Sequence, residues 1–391
     1  MRALIMVAVA LSALIGSAEA QPLRLRGDAF VDAEPSVGLL VLQGSDTELR
    51  WLDAEALVWT GTTELGGDGP GDALVVTVRA RDPKGRGEVR LGRFVMATGA
   101  VRPLHVDGIA ARVRSRWGTD VEVFGGAPVV PHFGVDAYDW VAGTRISHRV
   151  GDLVTGGISY YHQRDNGFLA DEEVGLDAAA TPTPWLDVAA RMAYDLVHPG
   201  LADANLTAAA RRGPYRFEVY GARRSPSRLL PATSLFAVLG DVPSQSLGAG
   251  VTWRAAPRLD LRGSGGLRMV DDEIGMEATA RATLRLDDRG RGSLGLELRR
   301  DGVDPMSSWT GVRGLARVPV REGLVAATEL ELVIPDDAAG RGAMWPWGLV
   351  ALAWRPVPLW EASAGFEARS SPQHRYAISG LLRLSRQWEA P

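Results

Sequence analysis

The sequence predicts an all-β chain: a transmembrane, antiparallel, up-and-down β-barrel with an even number of strands between 16 and 20. Three observations carry this reading. From about residue 50 onward, stretches of roughly ten residues alternate apolar and polar, which gives the two faces of a strand different surroundings. The breaks between these stretches alternate short and long. Beyond the first twenty residues, no uncharged apolar run reaches the length of a spanning helix, so a membrane crossing falls to strands.

The N-terminus reads separately. Arg2 precedes an uncharged run from Ala3 to Ala18, and Ala18-Glu19-Ala20 supplies the small residues of a cleavage site. Residues 1–20 are therefore expected to be a secretory signal, with Gln21 starting the mature chain. With no cysteine in the sequence, a lipid-anchored N-terminus is excluded, as are disulfides and thiolate chemistry. Residues 21–49 hold two apolar stretches, Leu23–Val31 and Val37–Gln43, which form either extra strands or a periplasmic segment. The barrel is expected over 50–391.

Tight turns fall near 82–86, 118–119, 151, 182–184, 212–213, 255–257, 287–290, 319–322 and 357–358. Each gap between them accommodates two strands of about 9–11 residues and one longer loop. From Arg50 onward this spacing counts twenty strands. The short breaks carry Pro or Gly, as in Thr183-Pro184, Gly213-Pro214 and Val357-Pro358, and read as periplasmic turns. The long breaks carry acidic residues, as in Asp171-Glu172-Glu173, Asp271-Asp272-Glu273, Asp301 with Asp304, and Asp336-Asp337, and read as external loops. One long break, residues 225–245, contains Leu229-Leu230-Pro231 and Leu235-Phe236-Ala237-Val238-Leu239. It is apolar enough to fold back as a constriction, or to lie at the membrane rim.

Energy assigns the faces. An arginine on the lipid side near the bilayer midplane costs about 2–4 kcal/mol, and several would exceed the stability of the fold. Ile109, Ala111, Val113, Ser115 and Trp117 thus face lipid, and Arg112, Arg114 and Arg116 form a row into the lumen. The same rule makes Arg90, Arg262, Arg281, Arg285, Arg313, Arg317, Glu329, Glu331 and Arg383 pore-lining candidates. Trp59, Trp117, Trp185, Trp253, Trp309, Trp354 and Trp360 sit near strand ends, where aromatic girdles belong. The last strand carries Tyr376, Ile378, Gly380, Leu382 and Leu384 on one face, resembling the C-terminal strand of outer-membrane barrels.

Net charge is −4, which gives no basic excess for nucleic acid. Six histidines, at 105, 132, 148, 162, 198 and 374, are scattered without metal-ligand spacing, so neither a metal nor a cofactor is expected. His148 and His162 fall on neighbouring strands without a serine motif beside them, and enzymatic activity is not expected.

The chain resembles bacterial porins. Arg90-Leu91-Gly92-Arg93, followed by Gly99, Arg102 and Asp107-Gly108, is similar to a pattern in the alginate-export and phosphate-selective porin class. That resemblance implies pore-lining arginines at Arg90, Arg93 and Arg102. The expectation is a bacterial outer-membrane pore, exported through the periplasm, for small polar solutes with an anion lean. Its partners are outer-membrane lipid and the solutes themselves, and both a monomer and a homotrimer fit. The alternatives are a structural or assembly-related barrel with a closed lumen and, less favoured, an outer-membrane hydrolase.

Overall fold

A computed structural model describes residues 24–33, 36–49, 51–62, 71–129, 139–226, 228, 243–270, 273–302, 308–336, 344–370 and 376–389. The expected signal, residues 1–20, lies outside them, as do the apolar runs between 229 and 239. Among the described residues no helix is long and apolar enough to cross a membrane.

The described residues form twenty-two strands. They are β1 (Arg24–Ala33), β2 (Ser36–Leu49), β3 (Leu52–Thr62), β4 (Gly71–Arg81), β5 (Gly87–Met96), β6 (Leu104–Arg114), β7 (Thr119–Pro128) and β8 (Trp140–Val150). Then come β9 (Val154–Asp165), β10 (Phe168–Thr183), β11 (Leu186–Asp195), β12 (Gly200–Arg212), β13 (Tyr215–Arg224), β14 (Ser244–Ala256) and β15 (Leu259–Val270). The last are β16 (Glu273–Arg285), β17 (Ser293–Asp301), β18 (Trp309–Arg321), β19 (Leu324–Pro335), β20 (Trp345–Val357), β21 (Trp360–Arg369) and β22 (Ala377–Glu389).

Each strand pairs antiparallel with the next, and β1 pairs with β22 from Arg24↔Glu389 to Asp32↔Leu381. Among the described residues every strand thus has two neighbours and no edge is left open, which is how a barrel satisfies its backbone in lipid. The even number holds, but the upper limit of 20 was too low. Twenty strands do follow residue 50; the other two come from residues 24–49, whose β1 and β2 join the sheet between β22 and β3. The described sheet therefore starts at Arg24.

Connections after even-numbered strands span two to seven residues and include every tight turn read from the sequence. β1 starts and β22 ends at this same end, here the turn end. Connections after odd-numbered strands reach nineteen residues, over 225–243, and mark the loop end. Two loop-end connections depart from the expectation of a long acidic break: β15 and β16 are separated only by residues 271–272, with Glu273 already in β16, and β9 and β10 only by residues 166–167. Asn166 and Gly167 take φ of 50° and 79°, the left-handed pair of a two-residue hairpin turn. The strand resumes at Phe168, so Asp171, Glu172 and Glu173 lie within β10.

Alternation sorts the side chains onto two surfaces. Outside are Val89, Leu91, Ile109, Val113, Val121, Val123, Ile146, Ile158, Leu206, Val219, Leu247, Leu296, Leu330, Val350, Phe366 and Leu382, all exposed. Trp51, Trp117, Trp185, Trp253 and Trp354 ring the turn end of this surface, and Trp140, Phe168 and Tyr376 stand at the loop end. Inside, charges pair across neighbouring strands, Arg79 with Asp53 at 2.8 Å, Arg285 with Asp260 at 2.5 Å and Arg313 with Glu329, and Arg145 on β8 reaches over β9 to Asp177 on β10 at 2.5 Å. Arg383 bonds Asp28 at 2.8 Å, fastening the seam between first and last strands.

Candidate lumen constriction

The inner wall is not uniform. Around most of its circumference it carries charge, but on β5–β9 it carries Phe94, Met96, Val106, Ala110, Phe124, Val141 and Tyr161, all buried. Apolar side chains facing a watery lumen need cover, and the connection between β5 and β6, residues 97–103, supplies it. It folds inward, and Val101 joins the cluster at 5% exposure.

The geometry of this connection follows from a few residues. Gly99 adopts φ +62°, and a Cβ there would lie 2.7 Å from Asp177 Oδ1 and 2.9 Å from Arg145 Cδ, so glycine serves both the turn and the close approach. Gly175, on the inner face of β10, leaves room for Ala100 and Val101; a Cβ would stand 3.0 Å from Ala100 Cβ. The Ala100 amide donates to Ser159 Oγ at 3.3 Å.

Arg102 is the anchor. Its guanidinium is ion-paired with both Asp171 and Glu173 and lies 5.6 Å from the centre of the Tyr161 ring. Nε donates to Glu173 Oε1 at 2.9 Å, and the Arg102 amide donates to Glu173 Oε2 at 3.3 Å. Side-chain exposure is 11% for Arg102, 3% for Asp171 and 0% for Glu173. Unpaired carboxylates at such burial would be costly, so clamp and carboxylates require one another. Nη2 of Arg102 also donates to the Arg228 carbonyl at 2.6 Å. The start of the 225–243 connection therefore meets the same anchor through Arg228, and Ser225, at its head, is buried.

The arginines implied by porin resemblance take three different positions. Arg102 is clamped in the constriction. Arg93 is on the outer face, opposite Asp107 and paired with it at 2.8 Å, a neutralised pair near the loop end. Arg90 faces inward, bonded to Glu88 at 3.2 Å and lying over Phe94.

The Arg112–Arg116 row stands at the turn end and is largely matched. Arg112 and Arg114 share Asp120, at 2.8 and 2.9 Å, whereas Arg116, expected in the same row, lies beyond the end of β6 in the turn, 4.9 Å from the ring centre of the exposed Trp117. On the far wall, Arg262 lies opposite Arg281, and Arg281 reaches Glu297 at 3.6 Å. Arg313 is opposite Glu331 and paired with Glu329; Arg285 holds Asp260; Arg317 is opposite Ser293; Arg383 holds Asp28. The structure thus spreads these residues around the wall and brings a different set together at Arg102. Asp171, Glu173 and Tyr161 were missed in the sequence. Their signal was the run of apolar residues at inward positions of β5–β9, where the rest of the wall is charged.

No family model matches the chain, and no curated protein matches it in sequence. Solved structures do match. The FrpB iron transporter from Neisseria meningitidis (F5-1 variant) superposes with a TM-score of 0.57 at 8% identity, over 94% of this chain and 83% of that one. The copper transporter OprC gives 0.59 at 9% identity, over 95% and 81%. The chain has the outer-membrane β-barrel fold. At these identities the likeness concerns the path of the backbone around the barrel, and the chemistry of the lumen is read from this chain's own residues.

Proposed function

We propose that the barrel is an outer-membrane pore passing small polar solutes with weak selectivity. The supporting observation is the state of the lumenal charges. They are paired yet wet: side-chain exposure is 43% at Arg281, 50% at Arg216 and 62% at Arg355. A wall of exposed, alternating ion pairs suits a water-filled passage, whereas a closed lumen would bury them at high cost. Sharing of Asp120 by Arg112 and Arg114 reduces the net positive field, so anion preference is small. The turn end, where β1 starts and β22 ends, faces the periplasm, and the loop end faces outward. The constriction by residues 97–103 then stands near the outer mouth and covers one sector only.

A second reading is a gated uptake barrel. Twenty-two strands is a size at which outer-membrane transporters carry a plugged lumen, and both structures compared above bear transporter names. Planar-bilayer recording separates the two. The pore reading expects stepwise conductance from purified protein alone, with a modest anion preference. Silence under all voltages refutes it and favours the gated barrel.

A further inference from the structure

The outer surface holds an arginine that the lumen does not explain. Arg223 lies on β13, whose outward positions Phe217 and Val219 are exposed. Its register partners are Ala204 on β12 and Gln245 on β14, both on the same outward face. It stands one residue from the loop end of its strand and is half-buried. In this half of the barrel, other outward guanidinium groups are satisfied: Arg93 by Asp107, Arg300 by Asp336, and Arg164 by the Gly167 carbonyl. Arg223 has no partner among the described residues, and its buried Nε is without a hydrogen bond.

Beside Arg223 the surface is recessed. Ala178, Ala190, Ala204 and Gly221 form the floor of a groove of about 540 Å³, walled by Leu176, Met192 and Leu206. Register places Ala178, Ala190, Leu206 and Gly221 in a row two residues closer to the turn end than the row holding Arg223. A cation at the rim with an apolar trough below it matches one chemistry in a bilayer: an anionic headgroup joined to an acyl chain. Such a chain gains about 0.8 kcal/mol for each methylene it buries.

We infer that Arg223 and the groove over β10–β13 bind a phosphate-bearing lipid of the leaflet on the loop side, its phosphate on the guanidinium and an acyl chain along the alanines. The site is independent of whether the lumen conducts. The test uses the full chain in nanodiscs of equimolar phosphatidylglycerol and phosphatidylcholine, with release into native mass spectrometry. The wild-type barrel should retain phosphatidylglycerol in preference to phosphatidylcholine. Arg223→Gln should lower that preference roughly five-fold, the worth of one surface arginine towards anionic lipid, and Arg223→Lys should restore part of it. Ala190→Leu fills the groove, leaves the charge in place, and should also reduce retention. Heat-dependent electrophoretic mobility confirms that each variant has closed its barrel. Equal retention of the two lipids by wild type, or retention unchanged in Arg223→Gln or in Ala190→Leu, overturns the assignment. Loss of bound lipid to millimolar inorganic phosphate alone would mark a free-anion site and also overturn it.

Discussion

Replacing Arg102 by Met should free the inward connection without dissolving the barrel. The substitution keeps much of the side chain's length and deletes the charge that balances Asp171 and Glu173, whose side chains are 3% and 0% exposed. Removing one partner of a buried ion pair costs about 3–5 kcal/mol, because the remaining charge is left desolvated. What otherwise holds residues 97–103 is of similar size. Burial of Val101 contributes about 1.5–3 kcal/mol, and the Ala100–Ser159 hydrogen bond about 0.5–1.5 kcal/mol. The connection can therefore detach and let water reach both carboxylates, at a cost comparable with staying in place. The closed ladder of strands is untouched by this exchange. Two assays read it: single-channel conductance, expected to rise, and limited proteolysis, expected to cut within 97–103 only in the variant. Adding Asp171→Asn and Glu173→Gln removes the stranded charges and should restore protection. A single variant with wild-type conductance and protease resistance would refute the reasoning.

Other outcomes follow from the same geometry. Leu296→Arg puts a cation on the lipid face and should destabilise folding into vesicles by about 2–4 kcal/mol, whereas Thr207→Arg, facing the lumen, should stay within about 0.5 kcal/mol; denaturant titration of folded protein compares them. Arg383→Leu breaks the seam contacts to Asp28 at 2.8 and 3.0 Å. It should cost about 1.5–3 kcal/mol, seen as a lower temperature for the heat-induced mobility shift. Asp336, just beyond β19, accepts from Arg300 at 2.5 Å, and that bond holds its carboxyl below the usual carboxylate range. A depressed carboxyl stabilises above its unfolded pKa, near 4, and the benefit is lost as pH falls through the folded value. A carboxylate NMR titration should place the Asp336 midpoint below that of Arg300→Gln.

The barrel was legible because two independent constraints agree along its length. Period-two alternation fixed which residues share a face, and the cost of arginine in lipid fixed which face is wet. Leu296 beside Glu297, or Val113 between Arg112 and Arg114, leaves only one orientation. Residues 24–49 were harder, since Gly27-Asp28 and Gln43-Gly44-Ser45 interrupt the apolar pattern that marks a strand. Their pairing is settled by distant partners instead: Asp28 is matched by Arg383. The constriction was legible in neither way. Ala97 to Pro103 reads as an ordinary short loop, and Arg102 meets a carboxylate 71 positions away. No local pattern encodes that meeting; only the unexplained apolar positions such as Phe124 and Val141 hinted at a cover.

The Arg383–Asp28 contact also sets an order of events. It joins residues 355 positions apart, and nearly all other pairings in the sheet are between neighbours in sequence. Hairpins can therefore form one after another, each closing a short loop, while the seam must bring together the two ends of the chain. Until it does, β1 and β22 are both unpaired edges in contact with lipid, and a newly made barrel is an open curved sheet able to accept a foreign strand. The charged pair at the seam favours the correct last neighbour over any other, so insertion ends when the protein finds itself.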